Sequence, residues 1–95
     1  MSVEIWEHDG EYYSLLPTYV KGDEAWYFEL SEALPTPDSW QGPRLPGTPS
    51  LTAAAHDPDV DKPPYVFAGN GESIPFEVLT RFVNRVAELL SENRA

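Results

Sequence analysis

Hydrophobic and polar residues alternate with period two through the first third of the chain, which is typical of half-buried β-strands. The alternation is clearest over residues 25–30, because successive side chains of a strand point to opposite faces. One face of this segment would carry Trp26, Phe28 and Leu30, and the other Ala25, Tyr27 and Glu29. The pattern therefore predicts a strand with one strongly apolar face.

Turn signals separate this strand from two predicted earlier strands, residues 3–7 and 12–16. The first two strands are joined through Asp9-Gly10, and an Asp-Gly pair is a strong hairpin signal. A second turn signal, Lys21-Gly22-Asp23, precedes the third strand. Residues 1–34 are therefore predicted to form an antiparallel β-meander of three strands.

Residues 35–64 differ in character, because they contain eight of the ten prolines. Proline removes a backbone donor and disfavours helix in the residue before it. The proline-free stretch Ser50–Ala55 contains helix formers, and Ser50 could cap a single helical turn there. The region is otherwise expected to be a long loop that wraps the surface in an extended path. By the same reasoning, Pro17 is expected to end the second strand.

The last third predicts a fourth strand over residues 65–68 and a helix over residues 75–91, with Pro75 at its first position. Apolar residues recur there at helical spacing. They are Phe76, Leu79, Phe82, Val83, Val86, Leu89 and Leu90. Packing this stripe on the meander, with the fourth strand joining the sheet near the helix, gives a small two-layer α+β domain. Residues 1–95 are thus predicted to be a single domain with a three- to four-stranded, mainly antiparallel sheet and one C-terminal amphipathic helix.

Composition narrows the possible partners. The 95 residues are 41% hydrophobic and 13% aromatic, too apolar for a disordered chain. Their formal charge of -10 opposes binding to nucleic acid and to anionic membranes, and it favours a basic protein partner. No segment has the pattern of a secretory signal or of a membrane span, so a cytoplasmic location is expected. The absence of cysteine excludes disulfides and cysteine-rich zinc sites.

Motifs for catalysis, metals or cofactors are not found in the sequence. Asp57, Asp59 and Asp61 have the first spacings of a calcium loop, but Lys62 replaces the glycine that the sixth position requires. The two histidines lack zinc-site spacing. Ile74 stands where a dinucleotide fingerprint would need its third glycine after Gly69 and Gly71. No serine lies in a nucleophile elbow. We therefore expect no metal, no cofactor and no catalytic residue.

Aromatic residues are concentrated in the first 28 positions. Because neighbours in a strand face opposite sides and the helix covers one face, several rings should lie on the far face. They would be either exposed or covered by the proline-rich loop, and both arrangements remain open. If they are exposed, the candidate anchors for a protein partner are Tyr12, Tyr13, Trp26, Tyr27 and Trp40. The candidate steering charges are Asp23, Glu24, Glu29, Asp57, Asp59 and Asp61.

The leading hypothesis is a non-catalytic, acidic and aromatic-rich protein-binding domain. In composition the chain resembles many bacterial immunity proteins and antitoxins, which are small, acidic, aromatic-rich and cysteine-free. That resemblance implies an inhibitor that covers the active site of a basic toxin. One alternative is a structural or accessory domain that self-associates through an open sheet edge, and the chain is expected to be a monomer or a weak homodimer. Another is a small enzyme with an unfamiliar site.

Overall fold

A computed structural model describes residues 2–34, 45–69 and 73–94, with side chains up to residue 92. Within these ranges, five strands form one antiparallel sheet in chain order, and one α-helix follows them. The strands are Glu4–His8 (β1), Glu11–Val20 (β2), Ala25–Leu34 (β3), Leu45–His56 (β4) and Tyr65–Ala68 (β5), and the helix is Phe76–Arg94 (α1). The α+β class is confirmed, with one strand more than the largest predicted number.

The hairpin between β1 and β2 forms at the predicted Asp-Gly turn. Asp9 and Gly10 both have positive φ, 48° and 82°. This backbone is that of a type I′ turn, whose twist matches the twist of the flanking strands. In the resulting register Trp6 lies opposite Tyr13. The turn chemistry therefore fixes which side of the hairpin carries the large aromatic rings.

Strand β2 continues through Pro17, so the prediction that this proline ends the strand is wrong. The pairing of β1 with β2 reaches only to Glu4 opposite Leu15. Beyond that point one side of β2 has no strand neighbour among the described residues, and proline is tolerated at a strand edge. Pro17 accordingly pairs with Phe28 of β3 without interrupting the strand.

Strand β4 occupies much of the predicted proline-rich loop, and the prediction of a loop there is wrong for residues 45–56. The expected helical turn at Ser50–Ala55 is also strand. Pro46 and Pro49 pair with β3 where the register shifts on either side of Ser31, so the regular ladder is already interrupted there. Residues 57–64 do connect β4 to β5 without regular structure. Residues 35–44 of the predicted loop lie outside the described residues.

Helix α1 packs across one face of the sheet. The buried core lies between them and consists of Trp6, Leu15, Phe28, Leu30, Leu51, Ala53, Val78, Phe82, Val86 and Leu89. The predicted alternation in β3 is confirmed, since Phe28 and Leu30 are buried in this core. Five of the seven predicted stripe residues pack in or against this core, but Phe76 and Val83 are 80% and 47% exposed, and Val78 is buried instead. Phe76 is the first helical residue, so its ring lies at the end of the helix and outside the contact with the sheet.

An ion pair ties α1 to the opposite edge strand, β1. Arg85 donates from Nε and Nη2 to the Glu4 carboxylate at 2.8 and 2.7 Å, and both side chains are about three-quarters shielded. One turn earlier, the Arg81 guanidinium lies 4.5 Å from the centre of the Trp6 ring. Arginine prefers such bidentate and ring-stacked contacts. These contacts fix the helix over β1 and leave its other side facing β4 and β5.

Replacing Arg85 by methionine should lower the stability of the domain at neutral pH and reduce its loss in acid. The hydrogen bond from Arg85 holds the pKa of the Glu4 carboxyl below its ordinary value. A lowered folded-state pKa adds stability above the ordinary pKa, and this stability is lost as the pH falls through the folded value. Urea unfolding midpoints should therefore differ most between wild type and R85M near pH 7 and draw together as the pH falls below the ordinary glutamate pKa of about 4.3. Lys62→Met removes an exposed charge, and its difference in midpoint from wild type should not shrink in acid in this way. If the midpoints of R85M and wild type differ by the same amount at every pH, the ion pair does not have the proposed role.

Candidate functional site

Two separate segments of acidic sequence meet at one end of the sheet. The β2–β3 connection contains the 3-10 turn Lys21–Asp23, and the β4–β5 connection begins at Asp57. The Asp57 N–H donates to the carbonyl of Glu24 at 2.8 Å, which joins the two connections. We call the resulting group of carboxylates the acidic end. It consists of Asp23, Glu24, Asp57, Asp59 and Asp61.

The backbone of the acidic end is held in a defined shape. The Val60 N–H donates to the Asp57 carbonyl at 2.9 Å, and the Lys62 N–H donates to the Val60 carbonyl at 2.8 Å. Glu24 has a φ of 52°, in the left-handed region that non-glycine residues rarely adopt. Its N–H closes the preceding turn onto Lys21 at 3.1 Å. The carboxylates are therefore carried by short, hydrogen-bonded turns.

Tyrosines flank the acidic end and are oriented by its carboxylates. The Tyr19 hydroxyl donates to Asp57 at 2.7 Å, and the Tyr27 hydroxyl donates to Asp23 at 2.8 Å. The Tyr19 ring meets the Trp26 ring edge-on, with centroids 5.3 Å apart. Tyr19 of β2 and Tyr27 of β3 point to opposite faces of the sheet. The acidic end therefore has an aromatic ring on each side.

These hydrogen bonds should be visible in an alkaline titration. Each bond to a carboxylate raises the pKa of its phenol, Tyr19 through Asp57 and Tyr27 through Asp23. A raised folded-state pKa adds stability below the ordinary value near pH 10 that is lost as the pH rises through the folded value. Asp57→Asn should therefore shift part of the tyrosinate absorbance change to lower pH.

Asparagine preserves an oxygen acceptor and removes only the charge, so this shift reports electrostatics. Glu92→Gln on α1, whose carboxylate lies near Arg85, is the control and should leave the titration unchanged. A titration curve of D57N that coincides with that of wild type would show that the hydroxyl does not bind the carboxylate in solution.

Strand β5 forms one edge of the sheet and borders the acidic end. It pairs with β4 and with no other described strand. Tyr65, Val66 and Phe67 are 48%, 47% and 47% exposed, although all three are large and apolar. The Tyr65 ring lies 5.9 Å from Phe67 and 6.3 Å from His56, centre to centre. These rings occupy the face of the sheet opposite α1, the face that also carries Tyr27.

A groove lies on the other side of β5, between this strand and α1. Its volume is about 340 Å³, and no charged side chain lines it among the described residues. The strands contribute Ala53, Val66 and Pro64, and the helix contributes Val83 and Leu90. The small alanines of β4 leave this space open, because they do not fill the distance to the helix. We call it the β5 groove.

The structure places the predicted site residues in three groups. The acidic end gathers five of the six predicted steering charges, with Trp26 and Tyr27 beside it. Tyr13 lies away from it, packed against the core with its hydroxyl on Glu11. Tyr12 and Glu29 are half-buried elsewhere on β2 and β3. Trp40 lies outside the described residues.

Sequence reasoning missed the residues that surround the acidic end. Tyr19 is not among the residues that the sequence predicts for the site, because the predicted second strand ends before it, whereas β2 includes it. The segment Tyr65–Ala68 was recognised as a strand but not as an exposed edge. A usable signal did exist, since the last strand of a meander has only one neighbour and must lie at an edge.

The three aspartates with calcium-loop spacing do not form a ligand cluster. In the described part of the chain, no group of three or more histidine, aspartate or glutamate side chains is placed to hold a metal ion. Within the same ranges, no helix combines the length and the apolar character needed to cross a membrane. No protein-family model, no curated protein and no solved structure matches the chain.

Proposed function

We propose that the chain is a non-catalytic protein-binding domain that docks a basic partner protein at the acidic end. The observation that carries this proposal is the hydrogen-bonded junction between Glu24 and Asp57, which brings two acidic connections together. Tyrosines at the same place supply the apolar area that charges alone lack. Tyrosine and tryptophan are enriched among the residues that dominate binding energy at interfaces.

Prior ordering of this surface supports a binding role. Association costs free energy for each flexible side chain that must be immobilised. Tyr19 and Tyr27 are already held by aspartates, and the backbone turns are closed by their own hydrogen bonds. A partner would therefore meet a surface that needs little rearrangement. A net charge of -10 would also accelerate its approach.

The more specific form of this proposal is an immunity or antitoxin protein that covers a cationic toxin. Such an inhibitor must associate quickly and remain bound, which combines steering charges with aromatic anchors. The acidic end has both kinds of group, with Tyr19 and Tyr27 on either side of its carboxylates.

The test is the capture of basic proteins by wild type and by two variants, each of which has four acidic residues neutralised. The two variants therefore have the same net charge. The first variant carries Asp23→Asn, Asp57→Asn, Asp59→Asn and Asp61→Asn. The second carries Glu7→Gln, Glu11→Gln, Glu32→Gln and Glu77→Gln, which removes four charges around the β1–β2 hairpin end of the sheet. Wild type and the second variant should retain the same basic protein from a lysate of the source cells at low salt, and the first variant should not.

Association rates measured with the captured protein then show whether the carboxylates accelerate its approach or only hold it once it is bound. The acidic-end variant should associate about tenfold more slowly or worse at low salt, and its rate should depend less on salt. If no basic protein is retained, or if both variants lose it equally, the acidic end is not the docking surface.

The second candidate function is self-association, and the exposed edge strand β5 favours it. A flat apolar edge with unpaired backbone groups is a template for another strand. Sedimentation equilibrium should then show a dimer that strengthens with salt, because salt screens the repulsion between acidic copies. A chain that stays monomeric at high salt and high concentration would exclude this candidate.

A further inference from the structure

The open edge of β5 and the β5 groove lie side by side, and they offer two different kinds of contact. The edge has backbone donors and acceptors that no described strand pairs. The groove has apolar walls of about 340 Å³ and no charged lining among the described residues. An extended peptide that joins a sheet edge uses both contacts, the backbone for affinity and pockets for alternate side chains.

We infer that β5 accepts an extended segment of the partner protein, in which apolar and basic residues alternate. This inference rests on the proposed function and adds the chemistry of the segment that is bound. The added strand would extend the sheet beyond β5 and would pair with about four residues, since β5 spans only Tyr65–Ala68. It would begin or end beside the acidic end, because β5 follows directly from that loop.

The alternation of apolar and basic residues in the bound segment follows from the two faces of β5. Val66 and Ala68 pair with Ala53 and Leu51, which belong to the face that α1 covers. Side chains of an added strand on this face would therefore enter the β5 groove and must be apolar. Successive residues of a strand point to opposite faces, so every second side chain would lie on the far face.

The far face favours positive charge. An added side chain there would lie next to Tyr65 and Phe67, whose rings are half exposed. Arginine and lysine bind to the faces of such rings, and arginine does so most often. The carboxylates of Asp57, Asp59 and Asp61 precede β5 in the same connection and attract the same charges. Basic residues at alternate positions of the segment could contact the aromatic rings and would also be attracted by the aspartate carboxylates.

A second copy of the chain fits this edge less well. Strand β5 contains no basic residue, so a copy would place only Tyr, Val, Phe and Ala side chains along the edge. Each copy would also bring a net charge of -10. Charge complementarity therefore favours a basic segment from another protein over the pairing of β5 with itself.

Two synthetic heptapeptides of equal composition test the inference against the full chain. One alternates arginine and valine from end to end, and the other has three valines followed by four arginines. Nuclear magnetic resonance at low salt should show that the alternating peptide shifts the amides of β5 and slows their exchange with solvent. It should also bind at least about tenfold more tightly than the block peptide.

Val66→Lys supplies the matched variant, since Val66 is exposed on the groove side of β5. It should reduce binding of the alternating peptide about tenfold or more, because a like charge then faces the peptide. Val3→Lys makes the same change at another exposed valine and should leave binding unchanged. Far-ultraviolet circular dichroism of both variants verifies that the fold is kept.

Three outcomes would overturn the inference. If both peptides bind equally, shift only the acidic end and ignore Val66→Lys, charge alone is recognised and the proposed function stands without strand addition. If neither peptide binds while the acidic-end variant still loses its captured protein, the partner uses another mode at that surface. If the β5 amides are already protected in the free chain and sedimentation shows a dimer, a second copy occupies the edge.

Discussion

Replacing Phe82 by alanine is expected to destabilise the domain by about 3–5 kcal/mol. Phe82 is fully buried at the centre of the contact between α1 and the sheet. Its loss removes the apolar transfer energy of the ring and leaves a cavity beside the β5 groove, which Phe82 also lines. Small domains have only about 5–15 kcal/mol of stability in total, so a large part of the variant should unfold at moderate temperature.

The matched control is Phe76→Ala, the same substitution in the same helix. Phe76 is 80% exposed, and a substitution away from buried features usually changes stability by about 0.5 kcal/mol or less. Urea unfolding of the two variants, followed by tryptophan fluorescence, gives the comparison. Equal losses for F82A and F76A would mean that α1 does not pack on the sheet through Phe82.

Substituting alanine for Gly69 is expected to cost about 1–3 kcal/mol, because the added methyl group has no room. A Cβ at this position would lie 2.7 Å from the carbonyl oxygen of Pro49, which is closer than carbon and oxygen atoms pack. The obstacle is backbone in β4, so the last residues of β5 would have to move away. The hydrogen bond from the Gly69 N–H to the Ser50 carbonyl, now 2.8 Å, should weaken with them.

Gly22→Ala is the control, since a Cβ there meets no atom within 4 Å. It should be neutral or slightly stabilising, because alanine restricts the unfolded chain. Urea midpoints measure the cost, and amide exchange of residues 66–68 shows whether β5 loosens in G69A. Similar midpoints for the two variants would mean that the end of β5 is not held against β4 at Pro49.

Local sequence chemistry was enough to predict the first hairpin and the helix. The Asp9-Gly10 turn requires positive φ at both positions, and this pair of residues adopts it readily. The helix follows from apolar residues at three- and four-residue spacing. Its exact face did not follow, because Phe76 and Val78 both satisfy the pattern and only the sheet decides which is buried.

Strand β4 was not predictable from local preference, since its residues favour other structures. Ala53, Ala54 and Ala55 are strong helix formers, and prolines normally exclude a strand. Tertiary contacts prevail here: Ala53 packs into the core under α1, and Ala54 lies opposite Tyr27 on the far face. The prolines fall where the register of β3 and β4 already shifts.

The acidic end illustrates the same limit for the candidate site. The sequence predicts its five carboxylates as steering charges, but nothing in the sequence places Asp23 near Asp57. Their meeting depends on β4 lying next to β3, so a sequence interpretation without β4 could not bring them together. The β5 groove was missed for the same reason, because one wall is the alanine segment of that strand.

The order of elements along the chain separates local contacts within the sheet from the distant contacts that the helix makes. Each strand pairs with its neighbour in sequence, whereas the Glu4–Arg85 contact joins residues 81 positions apart. Contacts between neighbouring strands close shorter loops and form at a lower entropic cost. We therefore expect the strands to pair before α1 docks, with Leu15, Phe28 and Leu30 facing water in the interval. A chain that lacks α1 would keep this apolar face exposed, and exposed apolar surface of this kind favours aggregation and chaperone binding.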